Sequence, residues 1–144
     1  MIAVDANILV YAQRSDVSFH SQALGRMREV VEGSATWAIP WPCVHEFMAV
    51  VTNRRVFDPP TSAEDAIGFV SSIVRSPRLV LLAETTEHWP TLQSLVLSGR
   101  AVAGLVHDAR IAAICIQHGV RELWTADRDY GRFPQMRVVN PLLA

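Results

Sequence analysis

The chain contains no lysine: all 13 of its basic residues are arginine, set against 14 acids for a formal net charge of −1. Overall charge therefore declares no nucleic-acid-binding face. Arginine suits phosphate recognition, but a complete absence of lysine is read as compositional bias in the coding sequence. Cysteine is almost as scarce. Cys43 and Cys115, in PCVHEF and AAICIQ, match no metal-binding spacing and are expected to be reduced core residues. No charged start leads into a cleavable apolar segment, and no apolar run reaches membrane-spanning length. A cytoplasmic location without membrane attachment is the expectation.

Missing motifs narrow the chemistry further. There is no G-x-G-x-x-G after the first apolar run and no G-x-x-x-x-G-K-[ST], which argues against a dinucleotide cofactor or a P-loop. Neither H-E-x-x-H nor G-x-S-x-G occurs. The histidines, His20, His45, His88, His107 and His118, are scattered and supply no ligand set, although His107 stands close enough in sequence to Asp108 to reach the rim of a shared cleft.

What is present is an ordinary globular balance, half hydrophobic and 19% charged over 144 residues. A single domain over 1–144 is expected, long enough to bury roughly 68–70% of the surface its unfolded chain exposes. Apolar runs at 2–5, 36–39, 79–82, 122–125 and 137–139 read as strands. The first of them runs into a helical turn. Helical periodicity marks 18–32, 42–55, 62–75, 86–98 and 105–118. Pro42 suits a first helical turn, Ser62 with Asp65 forms an S-x-x-D cap, and Gly33, Gly99 and Gly119 follow helical stretches as stops. Alternating β and α units predict an α/β fold with a parallel sheet covered on both faces, whose ligands sit at the carboxyl ends of strands.

Four acids lie in apolar company. Asp5 ends the first strand in MIAVDANILVYA, where its simplest role is to cap the following helix. Burying that carboxylate alone would cost several kcal/mol. Glu46 lies on the helix CVHEFMAVVTN beside small and apolar residues, with pairing to Arg54 or Arg55 as the plain alternative. Asp108 shares its helical face with Ile111, Ala112 and Cys115, and also fits as a first-turn acid stabilised by the helix dipole. Asp127 follows the strand ELWTA, with Asp129 two residues on, and both fit turn chemistry. Together, two strand ends and two apolar helices offer carboxylates to one cleft. Like charges there raise one another's pKa, and a hard divalent cation, Mg²⁺ or Mn²⁺, relieves the repulsion. Asp5 is expected to be one of its ligands.

At these residues the chain resembles a known family, the PIN-domain ribonucleases, and within it the VapC-type toxins of bacterial toxin-antitoxin pairs. The resemblance is carried in order by DANILVYA, IPWPCVHEFMAVVTNRRVF, HDARIAA and LWTADRDYGRFPQMRVVNP, and covers nearly the whole chain. It implies a three-layer α/β/α sandwich around a central, mostly parallel five-stranded sheet. It implies that Asp5, Glu46, Asp108 and Asp127 surround one or two Mg²⁺ or Mn²⁺ ions, and that Thr125 supports the fourth acid. That fourth acid stays open between Asp127, nearer the strand end and preferred, and Asp129, a second ligand or loop residue. Asn7 and Thr125 would orient carboxylates, while Arg110 and Arg128 are candidate phosphate contacts with solvated arginines as the alternative. The implied activity is hydrolysis of single-stranded or loop RNA such as tRNA, rRNA or mRNA. Implied partners are a second copy of the chain and a small antitoxin, with Trp37, Trp41, Phe57 and Trp89 as candidate surfaces. A non-catalytic RNA-binding module and a flap-cutting DNA nuclease are the rival readings, the latter needing helical elements this chain is short for.

Overall fold

Short runs of Val, Ile, Leu and Ala flanked by turn residues form strands that bury both faces, as a sheet covered on two sides requires. The computed structural model describes residues 1–143. Its strands are β1 (Ile2–Val4), β2 (Trp37–Pro40), β3 (Leu79–Leu82), β4 (Glu122–Trp124) and β5 (Val138–Val139), in the order β3-β2-β1-β4-β5 with every pairing parallel. The helices are α1 (Ala6–Gln13), α2 (His20–Glu32), α3 (Trp41–Val51), α4 (Ala63–Val74), α5 (His88–Gly99) and α6 (Leu105–Gln117), with a short 3-10 helix at Arg128–Arg132. Helix α1 packs on α2 and α3, α3 on α4, and α5 on α6. Right-handed crossovers from β1 to β2 to β3 put the first four helices on one face. The return from β3 across to β4 puts α5 and α6 on the other. The result is a three-layer α/β/α sandwich.

This order fixes where a site can form. Chain progress away from β1 reverses direction between β1 and β4, and at such a switch point the carboxyl ends of neighbouring strands open a crevice. Register aligns those ends: Val4 lies opposite Trp124, and the Asp5 amide donates to the Trp124 carbonyl at 3.0 Å. Asp5 and Thr125 therefore leave the sheet side by side.

Most expected elements form, with three local differences. The turn after β1 is a full two-turn helix, because Ala6, Ile8, Leu9, Val10 and Ala12 all bury their side chains. Helix α3 stops at Val51 and not at 55, since Asn53 Oδ1 accepts from the Arg55 amide in an Asx turn that competes with the helix. The stop expected at Gly99 falls one residue later, where Arg100 adopts the left-handed conformation with φ 49°. Gly99 serves closeness instead. A Cβ there would lie 2.7 Å from the Phe133 ring and 3.1 Å from the Arg132 carbonyl.

Both cysteines are free and buried. Of the four aromatic surface candidates, Trp37 belongs to the core and Phe57 lies beneath the Arg14 guanidinium, while Trp41 and Trp89 are exposed. Trp37 is buried because its strand is interior to the sheet, paired on both sides. No helix among the described residues is long and apolar enough to cross a membrane.

Phe133 is fully buried and cannot swing aside. Gly99→Ala is therefore expected to destabilise the fold by about 1–3 kcal/mol through overpacking, read as a lower urea midpoint at unchanged m-value.

Candidate active site

The crevice is built on Asp5. Its position at the end of β1 makes it the N-cap of α1, where Oδ1 accepts from the Ala6 amide at 2.7 Å. The capping role and a site role are thus held by one carboxylate. Oδ2 accepts from the Thr125 hydroxyl at 2.7 Å and from Asn7 Nδ2 at 3.2 Å, and the Cys43 thiol donates to Oδ1 at 3.3 Å. Burial, at 3% exposure, raises the Asp5 pKa. The Thr125, Ala6 and Cys43 hydrogen bonds oppose that rise, and the charge on Asp127 adds to it.

Thr125 continues the network into the next loop. Its oxygen accepts from Asn7 Nδ2 at 2.9 Å and from the Asp127 amide at 3.0 Å, while Asn7 Oδ1 accepts from the Ala126 amide at 3.1 Å. Asn7 and Thr125 therefore orient both Asp5 and the loop that carries Asp127. Asp127 in turn caps the 3-10 helix, accepting from the Asp129 amide at 2.9 Å.

Above this floor, carboxylate oxygens of Asp108, Asp127 and Asp129 all lie within 4.8 Å of one another. Asp108 reaches the group from the first turn of α6, Asp127 and Asp129 from the loop after β4. Asp129 thus stands with Asp127, so both loop acids enter the cluster. Asp5 and Glu46 lie outside this closest group. Glu46 projects from the exposed side of α3 and makes no ion pair with Arg54 or Arg55. Partial burial raises its pKa, with Asp5 and Asp127 adding to the rise and His107 opposing it. Asp108 is pushed up to about 7, first by desolvation and then by Asp127, Asp5, Asp129 and Glu46.

A cavity of about 310 Å³ opens beside the cluster, lined by Glu46, His107, Asp108 and Arg110 among others. His107 does sit at its rim. Arg110 is not free there, because its Nε donates to Glu84 at 2.5 Å. Arg128 is exposed between the two loop acids. Sequence reasoning assigned Cys43 to the core alone and did not single out Glu84. The available signal for Cys43 was its place three residues before Glu46, one turn earlier on the same helix. Tyr130 is also fully buried, and the charges of Asp5, Asp108 and Glu46 add to the burial that raises its pKa far above the usual tyrosine range.

The donors suit a hard cation. All are carboxylate oxygens, the type Mg²⁺ and Mn²⁺ prefer, and three of them within 4.8 Å of one another carry like charge that a divalent ion would offset.

The family model for the PIN domain matches residues 2–136. Ribonuclease VapC43 of Mycobacterium tuberculosis is 33% identical over 142 residues, covering 99% of this chain and 96% of that protein. The chain belongs to the PIN-domain family, among its VapC-type members. Two solved PIN-fold neighbours agree in fold. VapC20 of Mycobacterium tuberculosis, a sarcin-ricin loop cleaving toxin, superposes with TM-score 0.66 at 15% identity, covering 91% of this chain and 93% of its own. A toxin-antitoxin complex from Klebsiella pneumoniae gives 0.62 at 19% identity, covering 98% of each.

Two expectations follow for this PIN domain. Between pH 3.8 and about 7 the folded state keeps a proton on Asp108 that the unfolded chain has released, so this group makes stability fall as pH rises through that window. In EDTA, Asp108→Asn should therefore melt on the order of a few degrees above wild type at neutral pH, with the gap vanishing below pH about 4; added Mn²⁺ should raise the melting temperature of wild type more than that of the variant. Thr125→Val removes the donor to buried Asp5 and the acceptor for the Asp127 amide. It should cost about 1–3 kcal/mol in chemical denaturation.

Proposed function

We propose that this PIN domain is a metal-dependent endoribonuclease of the VapC type, cutting single-stranded or loop RNA. The observation that carries the reading is the three-carboxylate cluster of Asp108, Asp127 and Asp129 at the switch point of the sheet, above buried Asp5. Asp108, Asp127 and Asp129 would hold Mg²⁺ or Mn²⁺ at their closest approach, with Asp5 and Glu46 as the further ligands the sequence pattern implies. Such an ion lowers the pKa of water and offsets charge that builds on a phosphoryl group.

The protein's own contribution is position. In hydrolysis an oxygen from water forms a bond to phosphorus, the bond from phosphorus to the 3′ oxygen breaks, and that oxygen takes up a proton, leaving 5′-phosphate and 3′-hydroxyl ends. Thr125 and Asn7 keep Asp5 and the Asp127 loop in one arrangement before substrate arrives, so little reorganisation is required at the moment of reaction. Glu46, on the wall of the cavity, would add its carboxylate to the site from the α3 side.

A second copy of the chain and a small antitoxin protein are the proposed partners, the antitoxin supported by the Klebsiella pneumoniae neighbour being a toxin-antitoxin complex. Exposed Trp41 on α3 and Trp89 and Leu97 on α5 provide apolar surface of the kind such contacts cover.

The deciding experiment incubates antitoxin-free protein with total cellular RNA in Mg²⁺, Mn²⁺ or EDTA. Discrete fragments with 5′-phosphate ends are expected with metal and none in EDTA, and Asp127→Asn should cut at least about 100-fold more slowly. RNA binding without cleavage in any metal would overturn the catalytic reading in favour of a binding module.

A further inference from the structure

The cavity beside the acids presents an electrostatic problem to its proposed substrate. Asp108 and Glu46 line it, Asp127 and Asp129 adjoin it, and among its lining residues Arg110 is the only arginine. An RNA backbone approaching this wall meets charge of its own sign. Arg110 would offset that charge, but Glu84 holds it.

The form of that hold is informative. Glu84 lies in the turn between β3 and α5, so it meets Arg110 at the same carboxyl end of the sheet as the acids. Contact is through Nε alone, at 2.5 Å, and the two Nη groups find no hydrogen-bond acceptor among the described residues. Both side chains are partly exposed, at 39% and 33%. An ion pair this open adds little to folding, and a guanidinium bound at one nitrogen has its planar fork available for a phosphate. His88, at the start of α5 just after the turn that carries Glu84, has its Nδ1 buried without a hydrogen-bond partner among the described residues.

We propose that Glu84 and Arg110 form a releasable phosphate latch, in which a backbone phosphate of the RNA displaces Glu84 from Arg110 and is thereby positioned beside the acid cluster. The inference rests on the nuclease reading above and extends it to how substrate is admitted. Arg110 touches substrate; Glu84 is a positioning residue that acts through Arg110 and competes with the phosphate for it. Removing the two partners must then have opposite effects, which a merely structural salt bridge would not give.

The test measures binding of a mixed-sequence single-stranded RNA oligonucleotide in EDTA, where no cutting occurs, across a salt series. Arg110→Gln should weaken binding about 5- to 10-fold and lower the salt slope by about one. Glu84→Gln should tighten binding by several fold, and in metal should lower KM with little change in kcat. Arg110→Lys, which keeps the charge but not the fork, should fall between wild type and Arg110→Gln. If Arg110→Gln misfolds, the sign of the Glu84→Gln effect decides alone. Weaker or unchanged binding by Glu84→Gln, while wild type binds and cuts RNA, would overturn the latch and leave the nuclease reading intact. Failure of wild type to bind the oligonucleotide and to cut RNA would remove both.

Discussion

A carboxylate with almost no access to water stands where β1 ends, and four donors from three places in the chain make that tolerable. The Ala6 amide, the Asn7 amide group, the Cys43 thiol and the Thr125 hydroxyl converge on Asp5. The first two follow Asp5 directly in the chain, while Cys43 and Thr125 are brought from 38 and 120 residues away. Ala6 opens α1, Cys43 lies in α3, and Thr125 leaves β4. The strain of burying a charge is thus converted into registry: β1 and β4 must end together, and α3 must approach closely enough for sulfur to reach oxygen. Without these donors the charge would be expelled or protonated.

On this floor the fold gathers like charges. Asp108, Asp127 and Asp129 have oxygens within 4.8 Å of one another, and the carboxyl of Asp108 is pushed up to about 7, first by its own desolvation and then by the neighbouring acids. Helix α6 tolerates Asp108 because a first-turn acid meets the positive end of the helix dipole. The loop after β4 tolerates its two acids because Asp127 caps the 3-10 helix and accepts from the Asp129 amide. Local capping therefore offsets part of what the cluster costs, and the remainder makes the site receptive to a divalent cation. The same excess of negative charge makes the entry to the site inhospitable to a polyanion, which is why the state of Arg110 at its edge matters.

Much of this was legible in the residues. Apolar, β-branched runs marked all five strands to within a residue or so, because each is a short apolar stretch between clear breakers. The long helices followed from their apolar faces, as with Ile111, Ala112 and Cys115 beneath Asp108. Where reading and structure part, short-range signals had competed. Gly99 looked like a helix stop but was selected by the approach of Phe133, 34 residues away in sequence. Cys43 looked like a core residue, which it is, yet its thiol also serves Asp5. Glu84 carried no motif at all: its meaning depends on Arg110, on helix α6 and 26 positions later.

By itself the sequence determined the α/β alternation, the strand-end and helix-face positions of the acids, and the hard-oxygen character of what they could bind, since these depend on periodicity, capping and side-chain chemistry. Tertiary structure alone decided which acids form the closest group, that Asp127 and Asp129 both enter it while Asp5 is held beneath, and that Arg110 is engaged by Glu84. Those outcomes turn on distances of a few ångströms between segments far apart in the chain. Such distances are set by strand order, register and helix packing together.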